Sequence, residues 1–203
     1  MDEYKDLKTE RDNYISLLRD VKNSNCPPEI LIKILRRKNI DTASCYAAEN
    51  PNCPKEMLVE ILRRKNNNDV SCYAVKNPNC PSEILVEVLK RGNNDAVSCY
   101  AAKNLNCPLE MLVEVLKRGN DDWVSCYAAK NPKCPIEMLV EVLRREKNDC
   151  VSQYAAENPN CPDETKIKWM IKIGKIVKED PSKHIIEYEK IKEDDFQDLK
   201  DLL

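Results

Sequence analysis

Eleven cysteines run through this chain, spaced regularly enough to suggest chemistry. Cys26, Cys53, Cys80, Cys107, Cys134 and Cys161 each stand directly before a proline, one every 27 residues. Cys45, Cys72, Cys99 and Cys126 keep the same step inside the motif Ser-Cys-Tyr-Ala. Such series could hold a metal, form disulfides or simply pack. A zinc needs thiolates converging on one point at about 2.3 Å. Equivalent atoms of successive packed helical units lie about 8–10 Å apart. Cysteines of one series therefore cannot share a zinc, and they exceed the Cα separation of about 7 Å that a disulfide tolerates. Contact between the two series, as between Cys72 and Cys80, stays open. There is no Cys-x-x-Cys, the one histidine (His184) lies outside the repeats, and Gln153 replaces the fifth Ser-Cys-Tyr-Ala cysteine. Free cysteine behaves as a small apolar residue, so packing is the expectation, with no metal and no cofactor.

Two further residue sets could do chemistry. Glu56/Glu60, Glu83/Glu87 and Glu110/Glu114 are carboxylate pairs. A catalytic pair would be differentiated in one place, with its two pKa values pushed apart, whereas these recur copy after copy and read as a solvated face. Glu87 precedes Arg91 by four residues, the favourable order for a helical ion pair. With one histidine no nucleophile–base set can be assembled from His, and an enzyme is not expected. The second set is basic. Arg36/Arg37, Arg63/Arg64, Lys90/Arg91, Lys117/Arg118 and Arg144/Arg145 form a ladder that could follow a phosphate backbone. Glu60, Glu87, Glu114 and Glu141 run beside it and cancel much of its field. The first copy differs: Lys33 replaces the glutamate and Lys38 extends the cluster.

Composition narrows the remaining classes. The 203 residues are 42% hydrophobic and 33% charged, with a formal net charge of −2, which fits a solvated chain of one or two domains. Three glycines leave no glycine-rich phosphate loop. The longest apolar runs fall far short of the roughly 20 residues of a membrane span, so no membrane association is expected. The first residues contain no apolar signal segment, and a cytoplasmic chain with reduced thiols is the expectation.

The elements that position these residues follow from the period, the sequence signature of a repeat architecture. Five complete copies occupy 25–159, and a sixth opens at Asn160. The first helix of each copy begins at Cys-Pro-x-Glu, with proline where an amide N–H would be unpaired anyway and glutamate near the positive helix end. Cysteine is expected at the cap position, with Asn25, Asn52 and Asn79 as better acceptors nearby. Ile84, Leu85, Val86, Val88 and Leu89 cover a wide apolar arc. The second helix starts after a capping Asp41, Asn68, Asp95, Asp122 or Asp149 and closes at Asn-Pro. Tyr46, Tyr73, Tyr100, Tyr127 and Tyr154 fall on its inward face and are expected in the core. Residues 1–24 read as a capping helix with Tyr14, Leu17, Leu18 and Val21 inward, and 181–203 as an acidic closing helix. One helix pair cannot bury its own apolar surface, but a stack can. The expectation is an all-α, right-handed α-solenoid over 25–180, capped at both ends.

The pattern Ala-x-Asn-Pro-Asn-Cys-Pro-x-Glu-x-Leu followed by Asp-x-Val-Ser-x-Tyr-Ala resembles the leucine-rich-repeat-variant family and, more broadly, HEAT-type helical repeats. The likeness covers 25–162. Ser71, Ser98 and Ser125 stand where that family often has arginine. Residues 1–24 contain no cysteine, so the iron–sulfur module that precedes the repeats in one founding member is not expected. The resemblance implies a helical-repeat fold.

Binding should lie where copies differ while their surroundings repeat. The first residue of the second helix reads Thr42, Asp69, Ala96, Trp123, Cys150, and the residue seven later reads Glu49, Lys76, Lys103, Lys130, Glu157. At about 100° per residue these two positions share one stripe. Trp123 with Lys76, Lys103 and Lys130, and with Asp69 and Glu49 along the same stripe, suits a protein or peptide partner, one of acidic character where it meets the lysines. Packing of Trp123 against a neighbouring copy is the competing reading. Nucleic acid is the second partner class, through Lys33, Arg36, Arg37, Lys38, Arg63, Arg64 and Lys65.

Overall fold

The computed structural model describes residues 2–176, with side chains from residue 11 onward. The closing helix expected over 181–203, and His184, lie outside the described residues. Within them the chain is all-helical, with twelve helices and no strand. After α1 (Asp2–Lys22) come five pairs: α2 (Pro28–Arg36) with α3 (Thr42–Glu49), α4 (Lys55–Arg63) with α5 (Asp69–Lys76), α6 (Ser82–Lys90) with α7 (Ala96–Lys103), α8 (Leu109–Lys117) with α9 (Trp123–Lys130), and α10 (Ile136–Arg144) with α11 (Cys150–Glu157). A last helix, α12 (Asp163–Lys172), follows.

Each first helix packs on its own second helix, and from α4 onward each also packs on the first helix that follows, α4 on α6, α6 on α8, α8 on α10 and α10 on α12. Second helices pack on one another more closely, α3 on α5, α5 on α7, α7 on α9 and α9 on α11. Small residues permit this approach: Ala47, Ala48, Ala74, Ala101, Ala102, Ala128 and Ala129 have no exposed surface. The apolar interior repeats with the sequence. Leu31, Leu58, Leu85, Leu112 and Leu139 are fully enclosed, one per copy, and Leu35, Leu62, Leu89, Leu116 and Leu143 are nearly so. Of the apolar arc on α6, only Val86 stays partly open.

Punctuation is local and strong. The carboxylate or amide oxygen of Asp41, Asn68, Asp95, Asp122 and Asp149 accepts from the backbone N–H of the serine three residues on, at 2.7–3.0 Å. That bond satisfies one of the orphan donors of each second helix. The first helices start differently from expectation. Proline, not cysteine, holds the cap position, with extended backbone and no side-chain cap bond. Asn52 and Asn79 do not cap these helices either, because their amides point back to the preceding copy. Each first helix of the five pairs ends on a left-handed residue, Lys38, Lys65, Gly92, Gly119 or Glu146. Glycine reaches that conformation without the steric cost an L side chain bears.

The polar joint between copies is an asparagine corner. Asn50, Asn77, Asn104, Asn131 and Asn158 terminate the second helices, and all are buried. Asn77 Nδ2 donates to the carbonyls of Ala48 at 2.7 Å and Asn50 at 2.9 Å, while its Oδ1 accepts from Asn79 N–H. The amide of one copy thereby satisfies open carbonyls at the helix end of the copy before it. The first helices have an equivalent: guanidinium groups of Arg91, Arg118 and Arg145 donate to the carbonyls of Leu62, Leu89 and Leu116 one copy back.

Helix α1 supplies this joint with its first partner. Asn50 Nδ2 donates to Val21 and Asn23 carbonyls, so the end of α1 stands in for a second helix. Val21 is fully buried and Leu17 and Leu18 pack on the core. Tyr14, expected inward, is 41% exposed, because it lies two turns before Val21, where the packed face has already ended.

Candidate binding face

The stripe positions fall at the two ends of each eight-residue second helix: Asp69 and Lys76 on α5, Ala96 and Lys103 on α7, Trp123 and Lys130 on α9. Between them the helices are largely buried, so the stripe is the part that reaches solvent. Trp123 is 56% exposed; it does not fold into the neighbouring copy. Glu49, Asp69, Lys76, Lys103 and Lys130 are exposed as well.

The tyrosines correct an expectation. Tyr46, Tyr73, Tyr100, Tyr127 and Tyr154 are half-buried and line the face instead of sealing the core. Lysines lie over their rings. Lys76 Nζ sits 3.7 Å from the Tyr100 centroid and 5.2 Å from that of Tyr73. Lys103 lies 5.9 Å from Tyr127 and Lys130 4.6 Å from Tyr154. Each such contact contributes about 0.5–1 kcal/mol at an exposed site, enough to orient an ammonium whose charge still faces outward. Lys130 is also 3.7 Å from Glu157, so the cationic stretch is partly neutralised at its far end. Tyr127 and Tyr154 stack on each other with centroids 6.4 Å apart.

Lys22 belongs to the same ladder and was not legible as part of it. Its Nζ lies 4.0 Å over the Tyr46 ring, where a preceding second helix would place a lysine. The signal was positional: Lys22 stands one period before Glu49. Toward this end the face opens into a cleft of about 530 Å³ lined by Tyr46, Asp69, Tyr73, Lys76 and Tyr100, with Cys45 and Cys72 among its walls.

The basic ladder on the first helices is heavily engaged. Arg63 Nη2 lies 2.7 Å from Glu87, one copy on, and Arg64 Nη2 lies 2.7 Å from Glu60. Glu87 thus pairs across copies with Arg63, not with Arg91 as its spacing suggests, and Arg91 donates to the Leu62 carbonyl. Hydrogen bonds from these arginines hold the Glu60 and Glu87 carboxyls below the usual carboxylate range. Lys38 and Lys65 occupy the left-handed positions after α2 and α4. Lys33, Arg36, Arg37 and Lys38 are exposed and form no ion pair among the described residues.

The Cys-Pro thiols are all buried. Burial pushes Cys53, Cys80, Cys107 and Cys134 up to about 12, so they stay protonated and poorly nucleophilic. Among the described residues no group of three or more His, Cys, Asp or Glu is arranged to hold a metal, and no helix is long and apolar enough to cross a membrane. Neither the protein-family models, the curated proteins nor the solved structures compared with this chain give a match.

Proposed function

We propose that this chain is a right-handed α-solenoid of the leucine-rich-repeat-variant or HEAT-like kind, and that it acts as a non-enzymatic, cytoplasmic scaffold. Its partner is a protein or peptide segment with acidic groups, laid along the second helices. The observation that carries this reading is Trp123, an indole 56% exposed at the start of a mostly buried short helix, on the stripe whose other end carries a ladder of oriented lysines. Large aromatic side chains near cations are the usual anchors of protein recognition. The closer spacing of second helices than of first helices supports placing them on the inner side of a curved stack, the side that repeat arrays commonly use for binding.

One observation favours a second reading. The cluster Lys33, Arg36, Arg37 and Lys38 escapes the ion pairing that occupies Arg63 and Arg64, and would serve a nucleic acid backbone. The two readings separate by charge reversal and salt. Partner captured by the wild-type chain should be lost with Lys103→Glu plus Lys130→Glu, retained with Arg36→Glu plus Arg37→Glu, and only mildly salt-sensitive. The reverse pattern, with affinity falling steeply as salt rises, would transfer the assignment to nucleic acid. Deletion of residues 79–105 tests the fold: a stack rejoins equivalent interfaces and stays folded, whereas loss of helical signal would refute it.

A further inference from the structure

Cys150 is the one cysteine that follows neither series. In the fifth copy Gln153 takes the usual place, and the thiol has moved one helical turn toward the start of α11. This displaced residue is the one that meets another thiol: Cys126 and Cys150 Sγ atoms lie 2.6 Å apart, between α9 and α11. Two thiols facing each other this closely, with no atom between them, need to close by only about half an ångström to reach the S–S bond length of about 2.05 Å. The helices that carry them already pack together. Their environments are unequal. Cys126 is 1% exposed, whereas Cys150 is partly open at the edge of the face that carries Trp123.

We infer that Cys126 and Cys150 are a reversible disulfide site, closed by thiol–disulfide exchange with a low-molecular-weight disulfide such as oxidised glutathione. The inequality in exposure sets the order of events. The Cys150 thiolate attacks one sulfur of the small disulfide, forming a mixed disulfide and releasing one thiolate, which takes up a proton. Cys126 then loses its proton to solvent, and its thiolate attacks Cys150 Sγ. The protein S–S bond forms, the mixed disulfide breaks, and a second small thiol leaves. Two protein thiols are oxidised and one small disulfide is reduced to two thiols. Burial and the neighbouring thiol hold the Cys126 proton well above the ordinary thiol range, so ring closure is the slow step and quickens as pH rises. The bond would tie the fourth pair to the fifth beside Trp123.

The test equilibrates the full chain with oxidised glutathione and reads the product by intact mass and peptide mapping. The expected product lacks two hydrogens, maps to a Cys126–Cys150 crosslink, returns to the starting mass with reductant, and melts at a higher temperature. Cys126→Ser should trap glutathione on Cys150, and Cys126→Ala serves if the serine variant fails to fold. Cys150→Ser should leave Cys126 a thiol without adduct. A wild-type chain whose Cys150 is fully alkylated after equilibration overturns the inference. So does a glutathione adduct that never closes, or a crosslink between other cysteines.

Discussion

The two ends of one short helix behave in opposite ways. At the end of α5, Asn77 is fully buried and spends every side-chain hydrogen-bonding group on backbone, two of its bonds reaching into the preceding copy. At the start of the same helix, Asp69 is exposed on the rim of the cleft. Asparagine recurs at the first position in every copy, while the second reads Thr42, Asp69, Ala96, Trp123, Cys150. The corner has one solution because it must match fixed backbone carbonyls. The start of the helix carries no such shared backbone bond: Thr42, Asp69, Ala96 and Trp123 are exposed, while Cys150 meets Cys126. The constrained corner and the varied start of the helix are thus separated by the length of a two-turn helix.

If the corner is the intolerant region, charge should damage it most. Thiols of an unfolded chain ionise near pH 9, whereas buried Cys53, Cys80, Cys107 and Cys134 resist until about 12. Because the folded pKa is raised, the stability these thiols support is full below about pH 9 and is lost as pH climbs toward 12. The loss is up to about 1.4 kcal/mol per thiol per pH unit across that window. Urea unfolding midpoints at about pH 8 and about pH 10 should therefore differ widely, and equal midpoints would show that the thiols are not sealed.

A single side chain should come next in size. Asn77→Asp keeps the shape of the amide but removes both donors and sets a carboxylate against the Ala48 and Asn50 carbonyls. The expected cost is about 3 kcal/mol or more, read as a shift in chemical unfolding. A cost below about 1 kcal/mol would mean that water replaces the amide and that the corner is not the joint.

How much of this was visible in the sequence follows from how far each interaction reaches. Pro27, Pro54 and Pro81, together with Asp41, Asn68 and Asp95, act on backbone within three residues, so the period and the helix pairs could be read directly. The asparagine corner could not. Asn77 reaches carbonyls 27 and 29 residues away, and a carbonyl is the same in every residue type. Asn-Pro reads as a proline stop, yet Asn104 keeps the same extended backbone (φ −64°, ψ 133°) with Leu105 after it, so the buried amide contributes to ending the helix. Glu87 likewise has a suitable partner four residues along, but a better one in the copy before. The tyrosines sit beside valine and alanine in sequence; only the lysines laid over their rings, from the preceding helix for Tyr46, Tyr100, Tyr127 and Tyr154 and from its own helix for Tyr73, make them part of a face. The stripe was legible because variation between copies is a sequence property.

A smaller effect sharpens the role of the corner. Leu105 is 59% exposed where the other copies carry proline. Leu105→Pro should stabilise by about 0.4–1 kcal/mol by restricting the unfolded chain, visible as a higher melting temperature. A destabilisation would mean that the third joint has drifted from the others.

The smallest stability effect should fall on the residue with the largest functional one. Trp123→Ala, measured for unfolding and for partner capture side by side, tests the separation of assembly from recognition most directly. The prediction is a change in stability within about 0.5 kcal/mol, as for surface substitutions, with binding weakened by more than about 1 kcal/mol. A stability loss of several kcal/mol, as from a core indole, or undiminished binding by a fully folded variant, would contradict it.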